Sequence, residues 1–456
     1  MRYKQKQRWE TNLAGHEEPN RPRPRDPESE SPVVGPSRPR LLGVLGPGLI
    51  TGASDDDPSG IATYSQAGAQ FGYGLSWTLL LTYPLMCAVQ IISARIGRTT
   101  GHGLAGVLRL HYPNWVLQSL VFLLVAANTI NLGADLGAMA EAFVLVLPGP
   151  PKWLLIVFFA TVCIYVQVFL QYTRYVAVLK WLTLALFAYF ASALSTHINW
   201  NELAQGLFWP KITWSKDYLT TVVAVFGTTI SPYLFFWQAA QEVEDIHAYR
   251  HRHSLAHSPQ QAGPALHRIE IDTLVGMAFS NLVALAIVIT TAATLHVSGI
   301  TDIQSSAQAA QALRPIAGEF AFLVFAIGII GTGLLAVPVL AGSAAYALGE
   351  ARKWPVGFSR KWQEAKAFYG TVAVATLVGM ILNFTEIDPI KALYWSAVIN
   401  GVAAVPVLFA MMLMGRRSDI LGKFIIGRGL TALGWLATVV MGVTSFAMLI
   451  VSYINS

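Results

Sequence analysis

The sequence predicts an all-α polytopic membrane protein with about eleven transmembrane helices. Hydrophobic residues make up 54% of the 456 residues and charged residues only 12%, about half the charged share of ordinary soluble domains. Apolar stretches long enough to cross a bilayer, which takes about 20 residues, recur from residue 41 almost to the C-terminus. Because the apolarity within each stretch is continuous rather than alternating, the stretches indicate helices and not the strands of a barrel.

The first 40 residues differ from the rest of the chain. They are rich in Arg and Glu, carry seven prolines and have almost no apolar periodicity, which is typical of a disordered tail. The basic opening runs into polar residues where a secretory signal would have its apolar core. We therefore expect a disordered cytoplasmic tail over 1–40 and a transmembrane domain over 41–456.

The predicted spans fall into two halves of five and one extra helix. The first half covers about 43–195, the second about 219–414 and the extra helix about 430–453. Approximate limits of the eleven spans are 43–65, 74–95, 116–140, 152–172, 175–195, 219–242, 272–296, 318–348, 367–384, 389–414 and 430–453.

Lys and Arg are distributed unevenly between the two sides of these spans. With the N-terminus inside, 25 of the 31 Lys and Arg residues lie on the inner side and 5 on the outer side. This bias predicts a cytoplasmic N-terminus and, with eleven spans, an extracytoplasmic C-terminus. We expect a multi-pass protein embedded in the lipid bilayer of a cell membrane, such as the bacterial inner membrane. Neither a nucleic-acid partner nor a nucleotide-binding loop is indicated.

The first span contains a feature that membrane helices avoid. Three consecutive carboxylates, Asp55, Asp56 and Asp57, precede Pro58 and Gly60 in the middle of an apolar segment. Each ionised carboxylate at the bilayer centre costs about 2.5 to 3.5 kcal/mol on insertion scales, so the three need partners, water or a cation. Pro58 removes a backbone donor, and the helix should break there. An aqueous loop is the other interpretation, but the flanking residues suffice for only one crossing.

The sixth span repeats this interruption. Gly227, Thr228, Thr229, Ser231 and Pro232 stand at the middle of an apolar helix. Alone, they are compatible with a plain proline kink, which is common in membranes. Breaks at corresponding positions of two five-span halves indicate instead an inverted-repeat transporter with its site at the bilayer midplane. Acids and freed carbonyl groups make that site selective for cations.

The segment around the first break resembles the Nramp family of divalent-metal transporters. The residues DDDPSGIATYSQAGAQFGYG stand where the family has DPGN followed by QAGAQFGY, and the match at SQAGAQFGYG is long enough to be specific. The likeness covers roughly 41–453, with GTTISPYLFFWQ in place of a family segment that ends in MPH. The resemblance implies a LeuT-like 5+5 inverted repeat, metal import and a site shared by spans 1 and 6.

Carried over residue by residue, the resemblance places the metal ligands at four positions. The family aspartate falls on Asp57 and the asparagine on Gly60, while the methionine falls on Ser231. The alanine whose carbonyl group binds metal falls on Thr228. A soft thioether and one amide oxygen are therefore missing.

The oxygen ligands that remain favour a hard ion. A thioether favours softer ions over Mg²⁺ and Ca²⁺, and Mg²⁺ keeps several waters when one or two carboxylates bind it. The small residues Gly60 and Ser231 leave room for such waters. Asp56 is a candidate for holding the outer water shell, and Asp55 for either that role or attraction of cations at a vestibule. No cofactor is expected, since the bound divalent cation is the transported substrate.

The family's proton route is also altered. The resemblance places an acidic pair in the third span, where this chain keeps Asp135 but has Ala138, and two histidines in the sixth, where it has Tyr233 and Gln238. Neither Tyr nor Gln titrates near neutrality. This pattern matches the NRAMP-related magnesium transporter branch. A buried acid with a polar partner remains the other interpretation of Asp135.

Two further features have open roles. Asn400 in the tenth span is either a polar group that lines the cavity or the donor of an interhelical hydrogen bond. The loop 247–267 carries five histidines, which suit a metal sensor, but their spacing matches no closed tetrahedral set and a solvated linker is the alternative.

The predicted function is import of Mg²⁺, with Mn²⁺ as a second substrate, by alternating access and without proton coupling. One alternative is a proton-coupled Mn²⁺ or Fe²⁺ transporter that uses Asp135 and an acid of the triplet. Another is a Na⁺-coupled carrier of organic solutes. A third, from a different class, is an intramembrane carboxylate enzyme built on Asp55 to Asp57.

Overall fold

The protein is described by a computed structural model over residues 51–52, 54–169, 185–248, 252–384 and 388–454. Helices joined by turns make up the fold, and no strand occurs in these ranges. The all-α prediction is confirmed. The predicted tail 1–40, the beginning of the first span and the first half of the predicted span 175–195 lie outside the described residues.

The helices follow one another along the chain as α1 to α17. Their bounds are Pro58–Phe71 (α1), Ser76–Thr100 (α2), Leu104–His111 (α3), Asn114–Val146 (α4), Lys152–Phe169 (α5), Phe187–Ser195 (α6), Trp200–Phe208 (α7), Lys216–Thr229 (α8), Pro232–Ala248 (α9), Ala262–Thr291 (α10), Ser306–Ala310 (α11), Arg314–Ala317 (α12), Ala321–Arg352 (α13), Lys366–Leu382 (α14), Pro389–Gly415 (α15), Ser418–Leu421 (α16) and Arg428–Ile454 (α17).

Eight stretches of the described chain are long and apolar enough to cross a membrane. One of them, Pro58–Thr100, joins α1 and α2 and covers the end of the first predicted span, 43–65, and all of the second, 74–95. The helix α14 coincides with a further predicted span but is shorter than the other crossings. The described part of the predicted span 175–195 contains the short helix α6, and the first half of that span lies outside the described residues.

The local sequence explains where α1 begins and ends. Pro58 occupies the first helical position, where its missing N–H costs nothing. Asp57 precedes it as the N-cap, and its side chain accepts a hydrogen bond from the Gly60 N–H group. The helix ends at Gly72, whose φ of 56° is a conformation that glycine adopts without strain.

The interrupted helices lie inside the bundle. α1 packs against α8, α10 and α15, while α4 packs against α13, α14 and α15. Every residue of α8 from Tyr218 to Thr229 is buried. Close approach of α8 to α15 depends on two glycines: a Cβ atom at Gly227 would overlap the Ala397 carbonyl oxygen and lie 2.5 Å from the Gly401 nitrogen. Both helix breaks are therefore surrounded by protein.

Ion pairs join α9 to α10, and a hydrogen bond joins the loop between them to α2. Arg268 on α10 pairs with Glu242 on α9 at 2.5 Å and with Asp245 at 3.5 Å. In the following loop, the Leu255 N–H group donates to the Arg98 carbonyl oxygen at the end of α2 at 3.1 Å, and the Leu255 side chain is fully buried. This part of the histidine-rich segment is thus packed rather than a solvated linker.

The described histidines of that segment do not form a metal cage. His253 and His267 are exposed, and His257 Nδ1 is paired with the Ser254 hydroxyl at 2.7 Å. Over the described residues, no three His, Cys, Asp or Glu side chains are grouped as a metal site would require. His251 lies outside the described residues.

We predict that Gly227→Ala destabilises the bundle, because the added methyl group meets backbone atoms of α15 that cannot turn away. Overpacking of this kind costs about 1 to 3 kcal/mol. The measurement is the thermal unfolding midpoint of the detergent-solubilised protein, which should fall by several degrees. Gly370→Ala is the matched control, since it is exposed within α14 and a Cβ atom there meets nothing within 4 Å. Equal midpoints for both variants would contradict the packing argument.

Candidate metal-binding site

The first break occurs at Asp56 and Asp57. Residues 54 and 55 are helical, Asp56 and Asp57 are not, and α1 begins at Pro58. Asp57 has φ −70° and ψ 170°, an extended conformation that interrupts the helix. The predicted break in the acid–proline segment is therefore confirmed.

Asp57 is a buried carboxylate with a donor on every side. Its Oδ1 accepts hydrogen bonds from the Ser59 hydroxyl and the Gly60 N–H group, both at 2.7 Å. Its Oδ2 accepts from Asn131 Nδ2 at 3.1 Å and from the Tyr233 hydroxyl at 3.4 Å. Hydrogen bonds to the charged form stabilise a carboxylate away from water, and these four donors partly offset the cost of burying Asp57.

Asp55 and Asp56 face a different helix. Both lie within hydrogen-bond distance of the Ser280 hydroxyl of α10, whose single hydrogen can go to Asp55 Oδ2 at 2.6 Å or to Asp56 Oδ1 at 3.1 Å. The other oxygen of each carboxylate is buried and has no hydrogen-bond partner within the described ranges. The three consecutive acids thus diverge: Asp57 faces α4 and α9, and the other two face α10.

The second break lies between α8 and α9. Ile230 leaves the helical conformation, and α9 begins at Pro232. The Ser231 hydroxyl lies 2.5 Å from the Gly227 carbonyl oxygen and 3.1 Å from that of Thr228. Thr228 Oγ1 is buried and makes no hydrogen bond of normal geometry to the described residues. The break therefore places one hydroxyl group against two carbonyl oxygens, those of Gly227 and Thr228.

The two breaks meet at Gly60 and Thr228. A Cβ atom at Gly60 would lie 3.2 Å from Thr228 Oγ1 and 3.3 Å from the Asp55 carbonyl oxygen. A side chain at position 60 would therefore crowd the groups of both breaks, whereas glycine leaves them open. At the second break, the Ser231 hydroxyl contacts the Thr228 carbonyl oxygen.

The remaining predicted pathway residues are all buried and differ in their partners. Both carboxylate oxygens of Asp135 and both amide atoms of Asn400 lack hydrogen bonds to the described residues. Gln238 accepts from the Thr51 hydroxyl at 2.6 Å. Tyr233 reaches Asp57 and, at 3.4 Å, the Ser54 carbonyl oxygen. Tyr233 is thus the only one of these four that the structure joins directly to Asp57 in the described part of the chain.

Sequence reasoning missed the residues that support the acids from other helices. Asn131, Ser280 and Ser396 are polar residues within apolar spans. A signal was present: Asn131 precedes Asp135 by four residues on α4, and Ser396 precedes Asn400 by four on α15. Residues four apart share a helix face, so each helix presents a polar pair on one face.

The groups around the two breaks that could bind a cation do so through oxygen atoms. The contacts around the two breaks come from carboxylates, hydroxyls, an amide and backbone carbonyl groups. Hard divalent cations prefer such ligands. Because the three acids diverge, no closed cage of three carboxylates or imidazoles forms within the described residues, and a bound cation would keep part of its water shell.

Solved structures of transporters share this fold. The manganese transporter of Eremococcus coleocola, solved with an aromatic bis-isothiourea compound, is 16% identical, with a TM-score of 0.70 over 91% of this chain and 88% of that chain. MhsT in complex with L-phenylalanine is 14% identical, with a TM-score of 0.55 over 89% and 97%. Mhp1, a nucleobase-cation-symport-1 family transporter, is 14% identical, with a TM-score of 0.52 over 90% and 93%. The predicted LeuT-like fold is confirmed.

The family comparison covers most of the chain. The model of the Nramp family, described as natural resistance-associated macrophage protein-like, matches residues 48–451. This match decides against the organic-solute carrier and the intramembrane carboxylate enzyme. The chain belongs to the Nramp family, whose members are multi-pass membrane transporters of divalent metal ions and not enzymes.

Proposed function

We propose that this protein imports Mg²⁺, with Mn²⁺ as a second substrate, by alternating access and without proton coupling. The observation that carries the proposal is the all-oxygen character of the two breaks. Asp57 is the principal ligand, and the Thr228 carbonyl group and Ser231 complete the site from the second break. In place of a thioether, this chain has the Ser231 hydroxyl, which lies against the Thr228 carbonyl oxygen at 3.1 Å.

Space at the site supports a partly hydrated ion. Mg²⁺ sheds its waters reluctantly and is usually held by one or two carboxylates. Gly60 has no side chain to fill the gap toward Thr228 Oγ1. The unpartnered oxygens of Asp55 and Asp56 are suited to accept hydrogen bonds from waters of the outer shell.

The membrane potential supplies the driving force in this proposal. A divalent ion that moves inward gains about 4.6 kcal/mol per 100 mV, twice the value for a single charge. The 25 to 5 distribution of Lys and Arg supports a cytoplasmic N-terminus and an extracytoplasmic C-terminus. Import then needs no second gradient.

One observation favours the proton-coupled alternative. Asp135 is a fully buried acid, and neither of its oxygens is committed to a hydrogen bond in the described ranges, which leaves it open to bind and release a proton. Its family partner is absent, however, because Ala138 occupies that position, one turn along α4. Tyr233 and Gln238, in place of histidines, do not titrate near neutrality.

We predict that purified protein in liposomes takes up both Mg²⁺ and Mn²⁺ without acidification of the lumen. The measurement uses a metal dye and a pH dye inside the same vesicles, with an inside-negative potential. Liposomes without protein are the control. Uptake of Mn²⁺ with acidification and without Mg²⁺ entry would favour the proton-coupled alternative instead.

We predict that Asp57→Ala reduces metal flux by at least about 100-fold, since loss of groups that merely orient metal ligands already costs 10- to 100-fold. Flux of Mg²⁺ and Mn²⁺ into liposomes is the measurement. Asp302→Ala, an exposed acid outside both breaks, is the control and should leave the flux unchanged. Retained flux in Asp57→Ala would remove this residue from the site.

We predict that Ser231→Met shifts selectivity toward Mn²⁺ and Cd²⁺ over Mg²⁺, because it restores a soft ligand. The expected change in the ratio of uptake rates is about tenfold, which corresponds to about 1.4 kcal/mol. Ser231→Leu, of similar size but without sulfur, is the matched control. An equal shift in both variants would mean that size, not ligand chemistry, sets the preference.

A further inference from the structure

Asn131 connects Asp57 to a third helix. It is fully buried on α4. Its Nδ2 donates to Asp57 Oδ2 at 3.1 Å, and its Oδ1 accepts from the Ser396 hydroxyl of α15 at 2.6 Å. A line of hydrogen bonds therefore runs from α15 through α4 to the first break.

The orientation of the Asn131 amide follows from its partners. An ionised carboxylate only accepts hydrogen bonds, so the amide nitrogen must face Asp57. The amide oxygen then faces Ser396. The Ser396 hydroxyl has one hydrogen and two acceptors in reach, Asn131 Oδ1 at 2.6 Å and the Leu393 carbonyl oxygen at 2.7 Å. A flipped amide would set its oxygen against the carboxylate, so the carboxylate decides the orientation, and Ser396 holds the amide in place through the hydrogen bond to its oxygen.

This line of hydrogen bonds limits how Asp57 can bind a cation. A carboxylate has about four lone-pair sites, and Ser59 and the Gly60 N–H group occupy both sites of Oδ1. On Oδ2, Asn131 occupies one site at 3.1 Å and Tyr233 the other at the longer distance of 3.4 Å. A cation can displace the Tyr233 hydroxyl most easily, and it then meets one oxygen of Asp57 rather than two.

We infer that Asn131, supported by Ser396, is a positioning residue that keeps Asp57 monodentate and thereby discriminates against Ca²⁺. Ca²⁺ takes six to eight oxygens and accepts bidentate carboxylates, whereas Mg²⁺ demands near-octahedral geometry and keeps its waters. Asn131 acts through Asp57 and does not touch the ion. The inference rests on the proposed role of Asp57 as a metal ligand and adds the ion that the site rejects.

The test is Asn131→Leu, which removes the donor without leaving a large cavity. Mg²⁺ and Ca²⁺ affinities are measured by calorimetry on the purified protein, and Ca²⁺ inhibition of Mg²⁺ uptake is measured in liposomes. We expect the ratio of Ca²⁺ to Mg²⁺ affinity to rise by about tenfold or more, in the range found for groups that orient metal ligands. Ser396→Ala should shift the ratio in the same direction by a smaller factor.

Asn128→Leu is the matched control. Asn128 lies one turn before Asn131 on α4, is equally buried, and donates to the Leu340 carbonyl oxygen and the Ser343 hydroxyl of α13 instead of to Asp57. It should lower stability and flux without changing the ratio of the two affinities. A merely structural role of Asn131 would give the same result as this control and would overturn the inference.

Asp57→Ala separates this inference from the proposed function. Loss of Mg²⁺ binding in that variant with an unchanged ratio in both Asn131→Leu and Ser396→Ala would overturn only the role of Asn131. Retained Mg²⁺ binding in Asp57→Ala would overturn the site itself. If Asn131→Leu fails to fold, the direction of the shift in Ser396→Ala decides.

Discussion

The buried carboxylate of Asp57 is the constraint on which the arrangement of the helices depends. An ionised acid at the centre of a bilayer costs about 2.5 to 3.5 kcal/mol, and it is stable only when donors surround it. Two donors come from the beginning of its own helix, one from α4 and one from α9. α4 and α9 must therefore approach the first break, and α15 follows because its Ser396 satisfies the Asn131 amide.

Close packing around the breaks follows from small residues. Gly227 lets α8 approach the backbone of α15, and Gly60 leaves the first break open toward Thr228. Membrane helices pack through such small residues because lipid gives no hydrophobic drive to associate. Gly227 is thus required for helix packing, and Gly60 leaves room at the proposed cation site. Both positions need a residue without a side chain.

The contrast between adjacent acids has a conformational cause. If residues 54 to 60 had continued as one helix, the three carboxylates would be spaced evenly around the helix axis. The extended conformation of Asp57 places it at the N-terminus of α1, where N–H groups are free. Asp55 still belongs to the preceding helical turn, which faces α10 and Ser280. Three identical residues thus have two environments, and only one of them provides a donor for every carboxylate oxygen.

Much of this was determined by the sequence alone. Runs of apolar residues predict the crossings, and Pro58 and Pro232 predict both breaks, because these signals act within a few residues of the chain. The SQAGAQFGYG segment indicates the family. The tertiary structure alone decided which acids face which helix, since Asn131, Ser280 and Ser396 lie 74, 225 and 265 residues from the groups they contact. It also decided that the Leu255 N–H group donates to the Arg98 carbonyl oxygen at the end of α2. The spacing of polar residues along one helix shows which face they share but not which distant residue they contact, so their partners are set by helix packing.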